Sequence, residues 1–231
     1  MSRLPVSVQS ELVREHFMAL QDVLIDELRD MYSAENQLVK ALPKLARGAK
    51  SSELKQLFKD HLEETKGQVL RLREVFEHGG KKPTGTHCDG MEGVIAEGDE
   101  ALGEDLEDAS FDSGLIGAAL RTEHYEIAGY NATIAMAKTL GMSEVVQLLK
   151  QNLEEEIEAA RKVSAAGKVI FREATQEEEE DKDSQPASKK SSKDKTSEQK
   201  SKQDERKAAS AVQKKGTASP NRASSEEDAA A

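Results

Sequence analysis

Four apolar stripes with helical spacing, joined by two short connections and one long one, constrain this chain more than any other feature. The first stripe runs through Leu24, Leu28, Met31, Glu35, Leu38, Leu42 and Leu45, with Pro43 inside it as an expected kink. The second follows Ser51 or Ser52 as N-cap through Leu54, Leu57, His61, Glu64, Gln68, Leu72 and Val75, and ends at Gly79–Gly80. The third starts near Asp112 or Ser113 and carries Ile116, Leu120, Glu123, Ile127, Tyr130, Ile134 and Ala137 as far as Gly141. Ser143 caps the fourth, with Val145, Leu149, Asn152, Glu156, Ala159, Val163 and Ile170. Spacings of three and four put each set on one helix face, and each face needs a partner to bury it.

Only a few residues separate the first helix from the second and the third from the fourth, so each pair forms an antiparallel hairpin. About thirty residues, Gly80 to Phe111, lie between the hairpins and hold a short helix around Met91 to Leu106. Two hairpins with one long crossover give an all-α fold with the connectivity of a ferritin-like four-helix bundle. Composition agrees: there is no Trp, aromatics are 3% of residues, and strands draw on aromatic and β-branched side chains. Residues 1–17 read as an N-terminal extension and 18–172 as the bundle. Residues 173–231 are a charged, Ser- and Lys-rich tail with too little apolar surface to offset the entropy of ordering, and are expected to be disordered.

What interrupts the stripes carries the chemistry. Glu35, His61, Glu64, Glu123 and Glu156 occupy rows whose neighbours are apolar, and a buried unpaired carboxylate must protonate, find a partner or bind a cation. Depth sharpens the pattern. Glu35 and Glu64 lie about fifteen residues from the turn near Ala49, and Glu126 and Glu156 about fifteen from Gly141, so both pairs sit ~22 Å from their turns. Glu123 and Glu126 share one face, and Glu155 borders Glu156. Oxygen-rich ligation with one imidazole suits iron or manganese better than a structural zinc site. The competing expectation is that Gln68, Asn152, Tyr130 and His61 satisfy the inner acids without metal.

The segments LRDMYSAENQLVKALPKLA, HLEETKGQVLRL, CDGMEGVIAEG, RTEHYEIAGY and LLKQNLEEEIE resemble the YciE/YciF-like family of ferritin-like bacterial stress proteins, in order, across roughly residues 18–170. The resemblance implies a ferritin-like fold, a two-metal carboxylate site, dimer formation and a role in bacterial stress responses. It maps the family's acidic positions onto Glu35, Glu64, Glu123, Glu126 and Glu155 or Glu156, and its histidine onto His61. The sequence departs from the general Glu-x-x-His pattern of ferritin-like helices. Gly67 stands three after Glu64, Glu158 and Ala159 stand three after Glu155 and Glu156, and His61 precedes its glutamate.

The leading expectation is therefore a metal-binding stress protein, with oxidation of ferrous iron or reaction with peroxide as the chemistry such a site allows; catalytic residues are not assigned. The alternative is a non-catalytic, dimeric helical interaction protein, or a scaffold whose tail contacts partners. A net charge of -11 argues against nucleic-acid binding by the bundle and leaves only the tail's lysines for that role. Cys88 is the single cysteine, which fits a reducing compartment and reads as either a packing residue or a redox-sensitive thiol. No apolar run approaches the roughly 20 residues of a membrane span, and no signal pattern opens the chain, so a soluble cytoplasmic protein without membrane partners is expected.

Overall fold

The computed structural model describes the backbone of residues 6–184 and the side chains of 18–176. Among them are five helices and no strand: α1 Val6–Gly48, α2 Ser52–His78, α3 Asp89–Leu102, α4 Asp108–Thr139 and α5 Ser143–Ser184. The all-α expectation holds, with α3 as the short helix of the crossover. The bundle belongs to a compact unit, Met1–Glu180; of the second unit, Asp181–Ala231, everything after Ser184 lies outside the described residues. Of the tail expected to be disordered, residues 185–231 fall there too, whereas 173–184 are helical and continue α5.

The helix ends follow local chemistry. Ser51 caps α2, its Oγ accepting from the N–H of Glu53 at 3.2 Å and of Leu54 at 3.4 Å. Gly80 at φ 64° and Gly141 at φ 70° turn the chain after α2 and α4 in the left-handed region that glycine adopts without strain. Pro43 lies within α1, which continues to Gly48.

Three boundaries differ from the sequence expectation. Helix α1 already begins at Val6, inside the presumed extension, and α5 runs past residue 172 to Ser184. Gln and Glu are good helix formers, so propensity carries α5 beyond its last buried apolar residue, Ile170. Helix α4 starts at Asp108, and Glu107 makes no side-chain cap bond. Asp112, expected near an N-cap, is buried inside α4 and serves another helix pair. Its carboxylate accepts from the backbone N–H of Lys50 at 2.8 Å and of Ser51 at 2.6 Å, in the turn between α1 and α2. The α4 stripe is also rotated: Ala119 and Glu126 are buried, whereas Leu120 and Ile127 are half-buried.

The core is two apolar clusters. One gathers Leu38, Leu42, Ala49, Leu54, Phe58, Phe111, Ile116, Val163 and Ile170; the other gathers Leu24, Leu28, Met31, Leu72, Phe76, Ile134, Leu140, Val145 and Leu149. The α1–α2 turn belongs to the first cluster and the α4–α5 turn to the second, so the two hairpins turn at opposite ends. The crossover must therefore travel the length of the bundle, which is why it is long. It is strapped to α1 by Thr86 N–H donating to the Arg29 carbonyl at 3.3 Å, Cys88 N–H to Ser33 Oγ at 3.2 Å and Gln37 Nε2 to the Cys88 carbonyl at 3.1 Å.

Asp112 ties the start of α4 to the first hairpin through two charge-assisted bonds, whereas Ser51 serves only its own helix. Asp112→Ala is expected to lower the unfolding free energy by about 3 kcal/mol, and Ser51→Ala by about 1 kcal/mol. Urea unfolding of both variants checks the order; equal losses would mean that Asp112 contributes no more than a local cap.

Candidate metal centre

Between the two apolar clusters lies a polar layer contributed by four helices. Each stripe changes character at the same level: Glu35 in α1, His61, Thr65 and Gln68 in α2, Glu123 and Glu126 in α4, and Asn152 and Glu156 in α5, all buried. The spacings of three and four that kept the leucines inside also keep these residues inside. One ligand atom from each of His61, Glu123, Glu126 and Glu156 falls within a set whose members are all within 4.8 Å of one another.

The neighbours orient this group. Thr65 Oγ1 donates to the His61 carbonyl at 2.8 Å, within α2. His61 Nδ1 lies 3.4 Å from Glu64 Oε2, which directs its Nε2 inward, 3.4 Å from Glu123 Oε1 and 3.8 Å from Glu156 Oε2. Those last separations allow charge attraction, yet Nε2 is not aligned for a hydrogen bond with either carboxylate. Gln68 Nε2 donates to Glu156 Oε1, and the Tyr130 hydroxyl donates to Glu35 Oε1. Asn152 Nδ2 donates to the Tyr130 oxygen at 2.8 Å, and Arg71 Nε donates to Asn152 Oδ1.

Of the residues expected at the site, the structure brings His61, Glu123, Glu126 and Glu156 together, with Glu35 buried in the same layer. Glu64 and Glu155 do not join them. Both are half-exposed on the flank, Glu64 3.2 Å from Lys162 Nζ and Glu155 paired with Arg71. His61 is buried with its imidazole toward the layer, whereas the Glu64 carboxylate is half-exposed beside Lys162. Arg71 was missed. It lies one turn after Gln68 at the partly buried edge of the α2 inner face, a place where an arginine gives no signal in the sequence. His124 is exposed, and Tyr125 faces away from the layer, toward Cys88 and Asp30. Cys88 is buried, and its burial pushes the thiol up, as befits a packing residue.

Electrostatics make the layer unusual. Burial, and after it the neighbouring carboxylates, hold Glu35, Glu123 and Glu126 well above the usual carboxylate range. Glu64 is lowered, chiefly by its hydrogen bond with His61 and then by Lys162. Even so, Glu35 Oε2, both oxygens of Glu126, Glu123 Oε2, Glu156 Oε2, His61 Nε2 and Gln68 Oε1 are buried without a hydrogen-bond partner. Such groups are costly to leave unmet, and a cation coordinated by them would meet several at once. Carboxylate oxygens with one imidazole form a donor set for a divalent cation such as iron or manganese. The residues present therefore fit a metal.

An all-helical bundle with a buried carboxylate–imidazole layer is the class that fold and site define. The chain belongs to the family described as "Domain of unknown function (DUF892)", which it matches over residues 19–176. It is 44% identical over 138 residues to Protein YciF of Escherichia coli (strain K12), covering 59% of this chain and 83% of that one. The crystal structure of the E. coli stress protein YciF matches with a TM-score of 0.65 at 40% identity, over 66% of this chain and 97% of that chain. YcfI from Rhodopseudomonas palustris, whose description suggests a structural role, matches with a TM-score of 0.62 at 42% identity, over 63% of this chain and 92% of that one. Among the described residues, no helix is long and apolar enough to cross a membrane.

The raised carboxyl groups fix the sign of a pH dependence in metal-free protein. Unfolded glutamates ionise near pH ~4.3, so above that pH the folded chain binds more protons than the unfolded one, and stability falls as pH rises. The contribution of Glu64 runs the other way and is lost as pH falls through its lowered folded value. Chelator-treated protein should therefore lose urea resistance between about pH 5 and pH 7, and added Mn(II) should flatten the decline. A midpoint that rises over that range without metal would contradict this assignment.

Proposed function

We propose that this protein is a metal-binding stress protein whose bundle core holds iron or manganese through Glu35, His61, Glu123, Glu126 and Glu156. The observation that carries this reading is the set of unpartnered buried atoms, which includes five carboxylate oxygens and the imidazole Nε2 of one layer. A hydrophobic core has no use for them, and a cation would meet several of these oxygens and the imidazole at once. Iron or manganese bound there supplies redox chemistry toward dioxygen or peroxide.

The chain's own residues prepare the ligands. Tyr130 occupies one oxygen of Glu35 and Gln68 one oxygen of Glu156, leaving the other oxygen of each free. Glu64 engages His61 Nδ1, which fixes the ring and leaves Nε2 to coordinate. Arg71 holds Asn152, and Asn152 in turn holds Tyr130. The stress role follows from the similarity to a protein described as a stress protein.

One observation favours a second reading, a non-catalytic helical interaction protein. Gln68 and Tyr130 give hydrogen bonds to Glu156 and Glu35, and His61 approaches Glu123, as a metal-free polar layer would require. The two readings separate on metal content. Full-length protein purified without an affinity tag should contain about one to two equivalents of iron or manganese. A Glu35→Ala, Glu126→Ala, Glu156→Ala variant should fold by circular dichroism and contain none. Free ion at about 100 times its Kd should raise the unfolding free energy by about 2.7 kcal/mol, an increment that chelator removes. Wild type that is metal-free and takes up neither Fe(II) nor Mn(II) leaves the interaction protein as the function.

A further inference from the structure

The centre is not sealed equally on all sides. Where α2 and α5 run beside each other, a cavity of about 20 Å³ is lined by Phe58, Asp60, His61, Glu64, Glu123 and Lys162. That is room for a water molecule or one bare ion, and too little for an organic substrate. Its inner wall holds two buried, unpartnered ligand atoms, His61 Nε2 and Glu123 Oε2. Its rim holds exposed Asp60, half-exposed Glu64 and Lys162.

Glu64 links rim to interior. One oxygen lies 3.2 Å from Lys162 Nζ and the other 3.4 Å from His61 Nδ1. A second cross-helix pair, Arg71 with Glu155, lies along the same seam, but Arg71 is also bound to Asn152 and is the less exposed of the two cations. Lys162 makes one half-exposed ion pair, reached by solvent and therefore weaker than a buried one.

Resting on the metal reading above, we propose that this cavity is the route by which a divalent cation reaches the centre, with Lys162 as its gate and Glu64 as its first ligand. With the pair made, the ammonium stands at the mouth and repels an arriving cation. When Lys162 swings into solvent, the outer oxygen of Glu64 is free to take the ion. His61 Nε2 and Glu123 Oε2 then receive it from the inner side, as its water shell is shed in the narrow cavity. The route selects for ions that give up water readily, and Mg(II), which dehydrates reluctantly, is disfavoured.

Stopped-flow absorbance of Co(II) uptake by metal-free, full-length protein tests the route. Lys162→Ala should speed uptake by about tenfold without changing the number of ions bound at saturation. Glu64→Gln should slow it by a similar factor. Lys168→Ala, which removes the same charge from an exposed site on α5 outside the cavity, should leave the rate alone. If Lys162→Ala loads at the wild-type rate, or Lys168→Ala accelerates loading equally, the route is wrong and the metal centre stands. If wild type binds none of Co(II), Mn(II) or Fe(II), the centre itself falls and the route with it.

Discussion

Four carboxylates from three helices, Glu35, Glu123, Glu126 and Glu156, are buried in one layer, and the cost of desolvating them, with their repulsion after it, is the constraint on which the rest of the bundle depends. Neither apolar cluster can extend through that layer, so the core is split into halves that must each close on their own. The hairpins turn at opposite ends, one within each half, and each half is completed by helices from both hairpins. The long crossover follows from that arrangement. Asp112 makes the matching connection at the first turn, where a side chain of the second hairpin holds backbone of the first.

The fold was legible because its signal is periodic. Leucines and valines at spacings of three and four mark helix faces whatever the tertiary context, and connection lengths then restrict the topology. The inner site residues were legible for the same reason, since Glu35, His61, Glu123 and Glu156 break an otherwise apolar pattern. Glu126 was found by its depth, matched to Glu156 about the Gly141 turn. What the pattern could not resolve was phase near a stripe's edge. Glu64 lies three residues from His61 and Glu155 one from Glu156, yet a modest rotation of each helix puts those two carboxylates at the surface. Asp112 looked like a cap because it precedes an apolar run; only the tertiary fold shows its donors to be in another hairpin.

The polar neighbours offset part of the cost of burying such a layer. Tyr130, Gln68 and Asn152 give donors to one side of the layer, and raised carboxyl pKa values reduce the charge that must be buried. Both devices are partial. Gln68 and Tyr130 each satisfy a single oxygen of the carboxylate they touch, and Glu126 receives no hydrogen bond on either oxygen. A layer evolved only to pack would gain by replacing Glu126 with glutamine or leucine, because a neutral or apolar side chain avoids the desolvation that dominates its raised pKa. The uncompensated acid is what supports the proposed metal-binding reading, in which a cation would offset the cost of its burial.

The rotation of α2 that buries His61 and leaves Glu64 at the flank makes the layer asymmetric. In a Glu-x-x-His both side chains project inward, whereas here His61 faces the layer and Glu64 faces Lys162. One turn of helix thus joins a buried imidazole to a surface carboxylate. A centre walled only by inward ligands gains rigidity but gives a hydrated ion no intermediate stop between water and the core. On the proposed route Glu64 would supply that stop, while α4 contributes both Glu123 and Glu126 to the layer from a single face. The departure from the general ligand pattern is therefore consistent with a site that fills from the α2–α5 side.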